Sequence, residues 1–173
     1  MALGKDYDGQ RDCAMARGLE LIGERWTMLI VRDAFYGVRR YSDFLAHLEM
    51  PRAVLAERLT ALTASGLLEK RRYSDAPVRE EYVLTQAGRE LWPVLASIGA
   101  WSARNVMNGL VHRVYHHADC GDRLIGGLEC PECGVVPAEE VEIRPGPDAD
   151  PERMDPVSVA LREPKRLLTP IRG

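Results

Sequence analysis

Two groups of residues in this 173-residue chain have the types and spacing to do chemistry beyond packing. The first is His117-x2-Cys120-Gly121 followed by Cys130-x2-Cys133-Gly134, two similar knuckles separated by nine residues. An i, i+3 pair closed by glycine lets two ligands face one ion while the backbone turns tightly beneath it. One imidazole with three thiols is a set that suits Zn2+. Four protein ligands leave no position open for water, so the expected role of that zinc is structural. His116 competes with His117 for the fourth place, and His112 lies one helical turn earlier. The other use of these thiols is a reversible disulfide between Cys120 and Cys130 or Cys133.

The second group is basic. Between Arg39 and Arg79 there are 8 basic and 5 acidic residues, although the whole chain carries a net charge of −3. The charge divides along the chain: residues 1–115 hold 16 basic and 14 acidic side chains, residues 116–173 hold 7 and 12. Positive charge is thus concentrated where phosphate neutralisation would use it, and the acidic end hides it in the total. Cys13 stands apart from the other cysteines. At the first turn of a helix its thiol would feel the amide dipoles that favour thiolate, which makes it a candidate redox or electrophile sensor. Its alternative is a small apolar residue packed at an interface.

The elements that must position these residues are legible from periodicity. Residues 1–11 are polar and expected to be disordered. Asp12 can cap a helix carrying Met15, Leu19 and Ile22, with Gly23 ending it. A second helix from about Glu24 to Tyr36 buries Trp26, Leu29, Ile30 and Phe35 and stops at Gly37. Ser42 then caps a short helix with Phe44, Leu45 and Leu48, leaving His47 as surface. Pro51 opens the next helix, whose Leu55, Leu59 and Leu62 form one buried stripe. Its opposite face shows Arg52, Ala53, Glu57 and Thr60, small and polar enough to enter a major groove.

Leu67–Tyr73 and Glu80–Leu84 read as strands joined through SDAPVR, a wing bearing Lys70, Arg71, Arg72 and Arg79. Thr85 caps a long helix bent by Pro93, with Leu91, Val94, Leu95, Ile98 and Trp101 on one apolar face. That face has no partner left within so small a domain, so a second copy of the chain is the expected cover. Residues 112–144 form the Cys/His extension, with RLIGGLE as a small hairpin and a short strand at Val141–Ile143. Residues 145–173 hold six of the 11 prolines and are expected as a flexible tail or an arm that orders on a neighbour.

The expected fold class is mainly α with a small β-wing (α+β): a winged helix-turn-helix and dimerisation domain over 12–111, then the ribbon-like extension. The pieces CAMARGLELIGERWTMLIVRDAFYG, RRYSDF, VLAERLTAL, GLLEKRRY and YVLTQAGRELWPVL resemble the HxlR-type family of regulators, which is similar in fold to MarR-type proteins. That resemblance covers residues 13–104. It implies a homodimer on an inverted-repeat operator in double-stranded DNA, often a repressor, with some members sensing oxidants through a cysteine near the first helix. It maps the recognition helix to Arg52–Ala64 and the wing to Leu67–Leu84. Two departures stand out. Met50 and Pro51 replace the usual Ser or Thr before the recognition helix, a lost cap costing about 1 kcal/mol. Ala14, not proline, follows Cys13.

On this reading Arg52, Ala53, Glu57 and Thr60 probe base edges, while Arg39, Arg40, Arg71, Arg72 and Arg79 hold phosphates or the minor groove. A small-molecule effector between the wing domain and the dimer helices, or Cys13, would supply control. A protein-interaction adaptor using the winged helix and ribbon is the second function class. No Ser/His/Asp order, phosphate-cradling loop or open metal site points to an enzyme. No apolar run reaches bilayer length, and no export signal precedes Cys13, so a cytoplasmic location is expected.

Overall fold

The computed structural model describes residues 7–172. The helical part comprises α1 (Ala14–Ile22), α2 (Thr27–Phe35), α3 (Tyr41–Leu48) and α4 (Arg52–Ala64), then the hairpin β1 (Leu68–Asp75) and β2 (Val78–Leu84), then α5 (Gln86–Arg89) and α6 (Trp92–Asn105). Of the segment expected to be disordered, residues 1–6 lie outside the described residues. Residues 7–11 are ordered instead: a tight 3-10 turn at Asp8–Gln10, with the Tyr7 amide donating to Glu20 Oε1 at 2.8 Å.

Each helix boundary has a local cause, and several differ from the sequence reading. Cys13, not Asp12, holds the cap position of α1, and its side chain makes no capping bond. Arg40, not Ser42, precedes α3. The uncapped start of α4 is as expected: Pro51 offers no side-chain acceptor. The far end of α4 closes on Gly66, whose φ of +73° only glycine adopts cheaply. There the Leu67 amide reaches the Leu62 carbonyl and the Gly66 amide reaches Thr63, satisfying two orphan carbonyls of the last turn. Leu55, Leu59 and Leu62 are buried as one stripe, each contributing roughly 1.5–3 kcal/mol.

The wing is longer and its turn tighter than expected. Asp75 pairs with Val78, leaving only Ala76 and Pro77 in the loop, with a register shift near Tyr73. The single bent helix after Thr85 is two helices. Thr85 caps α5, accepting from the Gly88 amide at 3.1 Å, and Pro93 stands in the first turn of α6 where its missing N–H costs nothing.

The C-terminal third departs most. β3 (Arg113–His117), β6 (Val141–Pro145) and β7 (Lys165–Arg166) form one antiparallel sheet in the order β3-β6-β7. Beside it, β4 (Glu129–Cys130) and β5 (Gly134–Val135) make a minimal hairpin, and α7 (Pro156–Ala160) packs against α3. The segment expected to be a flexible tail is therefore folded, burying Val157, Leu161 and Leu167. Its last residues return to the helical part of the same chain. The Leu168 amide donates to Phe35 O at 2.7 Å and the Ile171 amide to Gly37 O at 3.0 Å. Gly37 is required there: its φ is +90°, and a Cβ would run into the Thr169 carbonyl.

One polar group sits in the middle of this assembly. Asp33 on α2 is 0% exposed, yet it is a carboxylate. Arg32 Nη2 lies 2.8 Å from Oδ1 and His47 Nδ1 lies 2.7 Å from Oδ2. His47, expected as surface, is thus a buried tie between α2 and α3. Asp33→Ala should lower the unfolding free energy by about 3 kcal/mol or more, because it strands His47 without its acceptor. Urea denaturation checks this, with the exposed Glu90→Ala as a control expected to stay within about 0.5 kcal/mol.

Candidate nucleic-acid interface and Cys/His centre

The outer face of α4 is built by subtraction. Its leucines are drawn inward, which leaves Arg52, Ala53, Ala56, Glu57, Thr60 and Ala61 exposed on the opposite side. All four residues expected to probe bases therefore share one surface stripe. Thr60 Oγ1 donates back to the Ala56 carbonyl at 2.8 Å, keeping its lone pairs outward. The start of the helix is steadied from α3 rather than by a cap, since Tyr41 Oη donates to the Arg52 carbonyl at 2.9 Å. Tyr41 is thus a packing and positioning residue.

The basic residues separate into two kinds. Arg71 donates to Glu81 Oε1 through Nε at 2.9 Å and Nη2 at 2.6 Å, and Arg39 reaches the same oxygen at 3.4 Å. Arg39 also donates to the Leu168 carbonyl at 3.3 Å. Sequence reasoning missed Glu81, which is 8% exposed and whose charge needs these partners. Arg39 is consequently an internal brace, not part of the open surface, and Arg71 is half committed. Arg72 makes only a long exposed contact to Asp75 at 3.4 Å, and Lys70 one to Glu80 at 3.3 Å. Such exposed pairs are worth at most about 1 kcal/mol and exchange readily for phosphate. Arg52 and Arg79 have no side-chain ion pair among the described residues, and Arg40 lies over the Tyr73 ring at 4.9 Å.

On α6, Val94, Ile98 and Trp101 are exposed, as are Val106, Met107 and Leu110 beyond it and Met15 and Leu19 on α1. Leu91 and Leu95 are half-buried against the chain's own core. The apolar face anticipated from spacing is therefore present and uncovered. Cys13 is half-buried and free of any disulfide.

In the extension, β3, the loop after it and the β4–β5 hairpin bring His117, Cys120, Cys130 and Cys133 together. One ligand atom from each lies within 4.8 Å of all the others. His117 Nδ1 is 3.1 Å from Cys120 Sγ, and Cys120 Sγ is 3.5 Å from Cys130 Sγ. For comparison, tetrahedral zinc with thiolates at about 2.3 Å sets neighbouring sulfurs about 3.8 Å apart. The competition between histidines is decided by the strand: His117 points to the cluster, while His116 turns away and bonds the Gly121 carbonyl at 2.9 Å. Glu140 Oε2 stands 3.4 Å from His117 Nε2, an outer carboxylate that fixes the imidazole tautomer. Sequence spacing did not show Glu140.

The electrostatics fit a cation-binding cluster. Burial pulls the His117 imidazole down, but its bonds to Cys130 and Glu140 prevail and raise its pKa. Burial pushes Cys130 up, yet the Glu132 and Cys133 amides with Cys120 and His117 overcome this and lower it to about 7. Cys133 is exposed, but its bond to Cys130, with some desolvation beside it, pushes its thiol up to about 12.

An exposed helix preceded by a short helix and followed by a basic hairpin defines a winged helix-turn-helix, a class that inserts its second helix into DNA. The comparisons with known proteins agree. A family model described as HxlR-like helix-turn-helix matches residues 21–110. The uncharacterised HTH-type transcriptional regulator Rv3095 of Mycobacterium tuberculosis is 39% identical over 148 residues, covering 84% of this chain and 91% of that protein. The crystal structure of PA1607, assigned as a candidate transcription factor, aligns with TM-score 0.60 and 32% identity over 76% of this chain and 93% of that one. The redox regulator HypR in its reduced form aligns with TM-score 0.50 and 25% identity over 56% of this chain and 98% of its own.

This chain belongs to the HxlR-like helix-turn-helix family and is a DNA-binding transcription regulator. Its relatives are regulators, not enzymes. The similarity to Rv3095 spans 148 residues and so runs beyond the family segment into the C-terminal extension. No helix among the described residues is long and apolar enough to cross a membrane.

Proposed function

We propose that the protein is a homodimeric repressor that reads an inverted-repeat operator through α4 and the wing, with a structural zinc ion in its extension. The uncovered apolar face of α6 carries this reading. Val94, Ile98 and Trp101 lie on α6, the second helix after the wing, where a second copy would cover them and set two recognition helices at half-site spacing. Arg52, Ala53, Glu57 and Thr60 meet base edges. Arg40, Lys70, Arg72 and Arg79 meet phosphates, with Arg71 divided between Glu81 and the backbone. A small ligand or thiol chemistry at Cys13 supplies control, and the redox regulator HypR among similar structures favours the thiol.

Ile98→Asp should convert a dimer into a monomer in sedimentation analysis and abolish gel retardation of the DNA upstream of the protein's own gene. A wild-type monomer under the same conditions would sink the reading. Arg79→Ala should weaken binding evenly across sequences and flatten the slope of log K against log salt by about 0.9 per protomer. An unchanged slope would remove Arg79 from the interface.

The Cys/His cluster supports zinc on donor type and closeness. His117 Nδ1, Cys120, Cys130 and Cys133 would hold the ion, and Glu140 would orient His117. Bound zinc would supply only cross-linking there, since no coordination position is left open. Purified protein should contain one zinc per chain and show one reactive thiol, Cys13; chelation should expose four. Cys130→Ser should lose the metal and lower the melting temperature by several degrees, at about 2–4 °C per kcal/mol. Metal-free protein with two fewer thiols would instead indicate a disulfide within the cluster.

A further inference from the structure

A cavity of about 290 Å³ lies at the junction between the helix-turn-helix and the C-terminal extension. Arg32 and His47 line it from α2 and α3, while His112, Arg113, Asp150 and Arg153 line it from the extension. The lining thus includes three arginines, two histidines and one carboxylate, Asp150, while Asp33, Glu49 and Asp155 stand close behind as partners of Arg32 and Arg153. The acids behind the wall do not use this charge evenly. Arg32 is held by Asp33, and Arg153 donates to the His47 carbonyl at 2.7 Å and to Glu49 at 3.1 Å. Arg113 is different. Among the described residues its guanidinium has no acidic partner, only the Leu161 carbonyl at 3.3 Å from Nη1. His112 makes no side-chain hydrogen bond among the described residues and stands beside it.

A guanidinium carries five donors in a rigid fork, and among the described residues only the Leu161 carbonyl engages that of Arg113, which lines the cavity. That fork matches two oxygens of a carboxylate or a phosphate. The volume, about 290 Å³, falls just under the usual range for small-molecule sites, roughly 300–1,000 Å³, and so suits only a small metabolite. Tyr36 and Leu161 give the cavity an apolar side, and Asp150 offers an acceptor for a hydroxyl or amine on the same ligand.

We infer that this cavity is a binding site for a small organic oxyanion, a carboxylate or a phosphate ester, seated on Arg113 and His112. The site is distinct from the space between the wing domain and the dimer helices. Its consequence for DNA binding rests on the regulator reading above, whereas the binding itself does not. Arg32 and His47 are both partners of Asp33, so an anion drawn between them and Arg113 acts on the tie that sets α3 against α2. From α3 the path to the recognition helix is short, through the Tyr41 bond to Arg52.

The test uses the full chain and calorimetric titration with succinate and with glycerol 3-phosphate, at constant ionic strength. Succinamide and glycerol serve as neutral counterparts. At least one oxyanion should bind at one per chain in the millimolar range or tighter, and neither neutral molecule should. Binding of succinate alone assigns a carboxylate site; binding of glycerol 3-phosphate alone assigns a phosphate-ester site. Arg113→Met keeps the volume and should weaken binding about tenfold or more. Should that variant not fold, the exposed His112→Gln decides, with a smaller but measurable loss expected. Arg79→Ala should bind the oxyanion as the wild type does, even though its DNA affinity falls. Absence of binding by both oxyanions would overturn the inference, as would binding that Arg113→Met and His112→Gln leave unchanged. A positive titration alongside failed gel retardation would retain the site and discard only its role in DNA control.

Discussion

The buried carboxylate of Asp33 is the constraint around which the reading head is arranged. An ionised group without solvent costs several kcal/mol unless its lone pairs are met by charged donors in good geometry. Here α2 supplies one donor, Arg32, and α3 supplies the other, His47, so the charge is tolerable only while those two helices keep their mutual position. The relation of α3 to α2 then fixes α4, because Leu55 and Leu59 pack into the core that Phe35 and Phe44 share. A helix-turn-helix needs that rigidity. Its recognition helix lacks a cap, and its placement relies on neighbours rather than on its own first turn.

The extension reinforces the same joint from outside. Arg153 grips the His47 carbonyl, Arg172 lies 3.2 Å from Asp43, and the backbone of Leu168 and Ile171 pairs with Phe35 and Gly37 at the end of α2. Arg39 bridges Glu81 on the wing to the Leu168 carbonyl. The terminal residues therefore act as a strap across the junction of α2, α3 and the wing. The ion pairs that cross this junction run from arginines of the extension, Arg153 and Arg172, to Glu49 and Asp43 of the head, so they do not draw on the net charge difference between the two parts of the sequence.

Much of the head was legible because its signals are local. Leucine spacing set the buried face of α4, Gly66 marked its end, and basic residues flanking a turn marked the wing. The zinc-type knuckles were legible from ligand type and spacing. What stayed hidden depends on partners far away in sequence. His47 looks like a surface residue until Asp33, fourteen positions earlier, is seen beneath it, and Glu81 looks like ordinary wing polarity until Arg39 and Arg71 close on it. Residues 145–172 show no periodicity because they fold as single strand pairs, one five-residue helix and a strap, none long enough to repeat a pattern. Local capping rules failed at Asp12 and Ser42 because the helices begin one or two residues away, a shift that tertiary packing makes at little cost.

Strand β3 joins these observations. Side chains two apart on a strand share a face, so Arg113, Tyr115 and His117 all point toward one side of the sheet. Arg113 lines the cavity at the junction with the helix-turn-helix, and His117 belongs to the Cys/His cluster. Tyr115 lies between them, packed edge-on against Trp92 at 5.2 Å with its hydroxyl 3.2 Å from that of Tyr36. Trp92 in turn lies 5.3 Å from Phe35 and donates from its indole to the Gly127 carbonyl at 3.2 Å. A single five-residue strand therefore presents one side chain to each of two candidate ligands and its middle one to the core of the reading head. β6 pairs with β3 and β7 with β6, so the sheet connects β3 to Lys165 and Arg166, which lead directly into the strap at Leu168. The extension thus links the Cys/His cluster and the cavity to the α2–α3 joint through one small sheet.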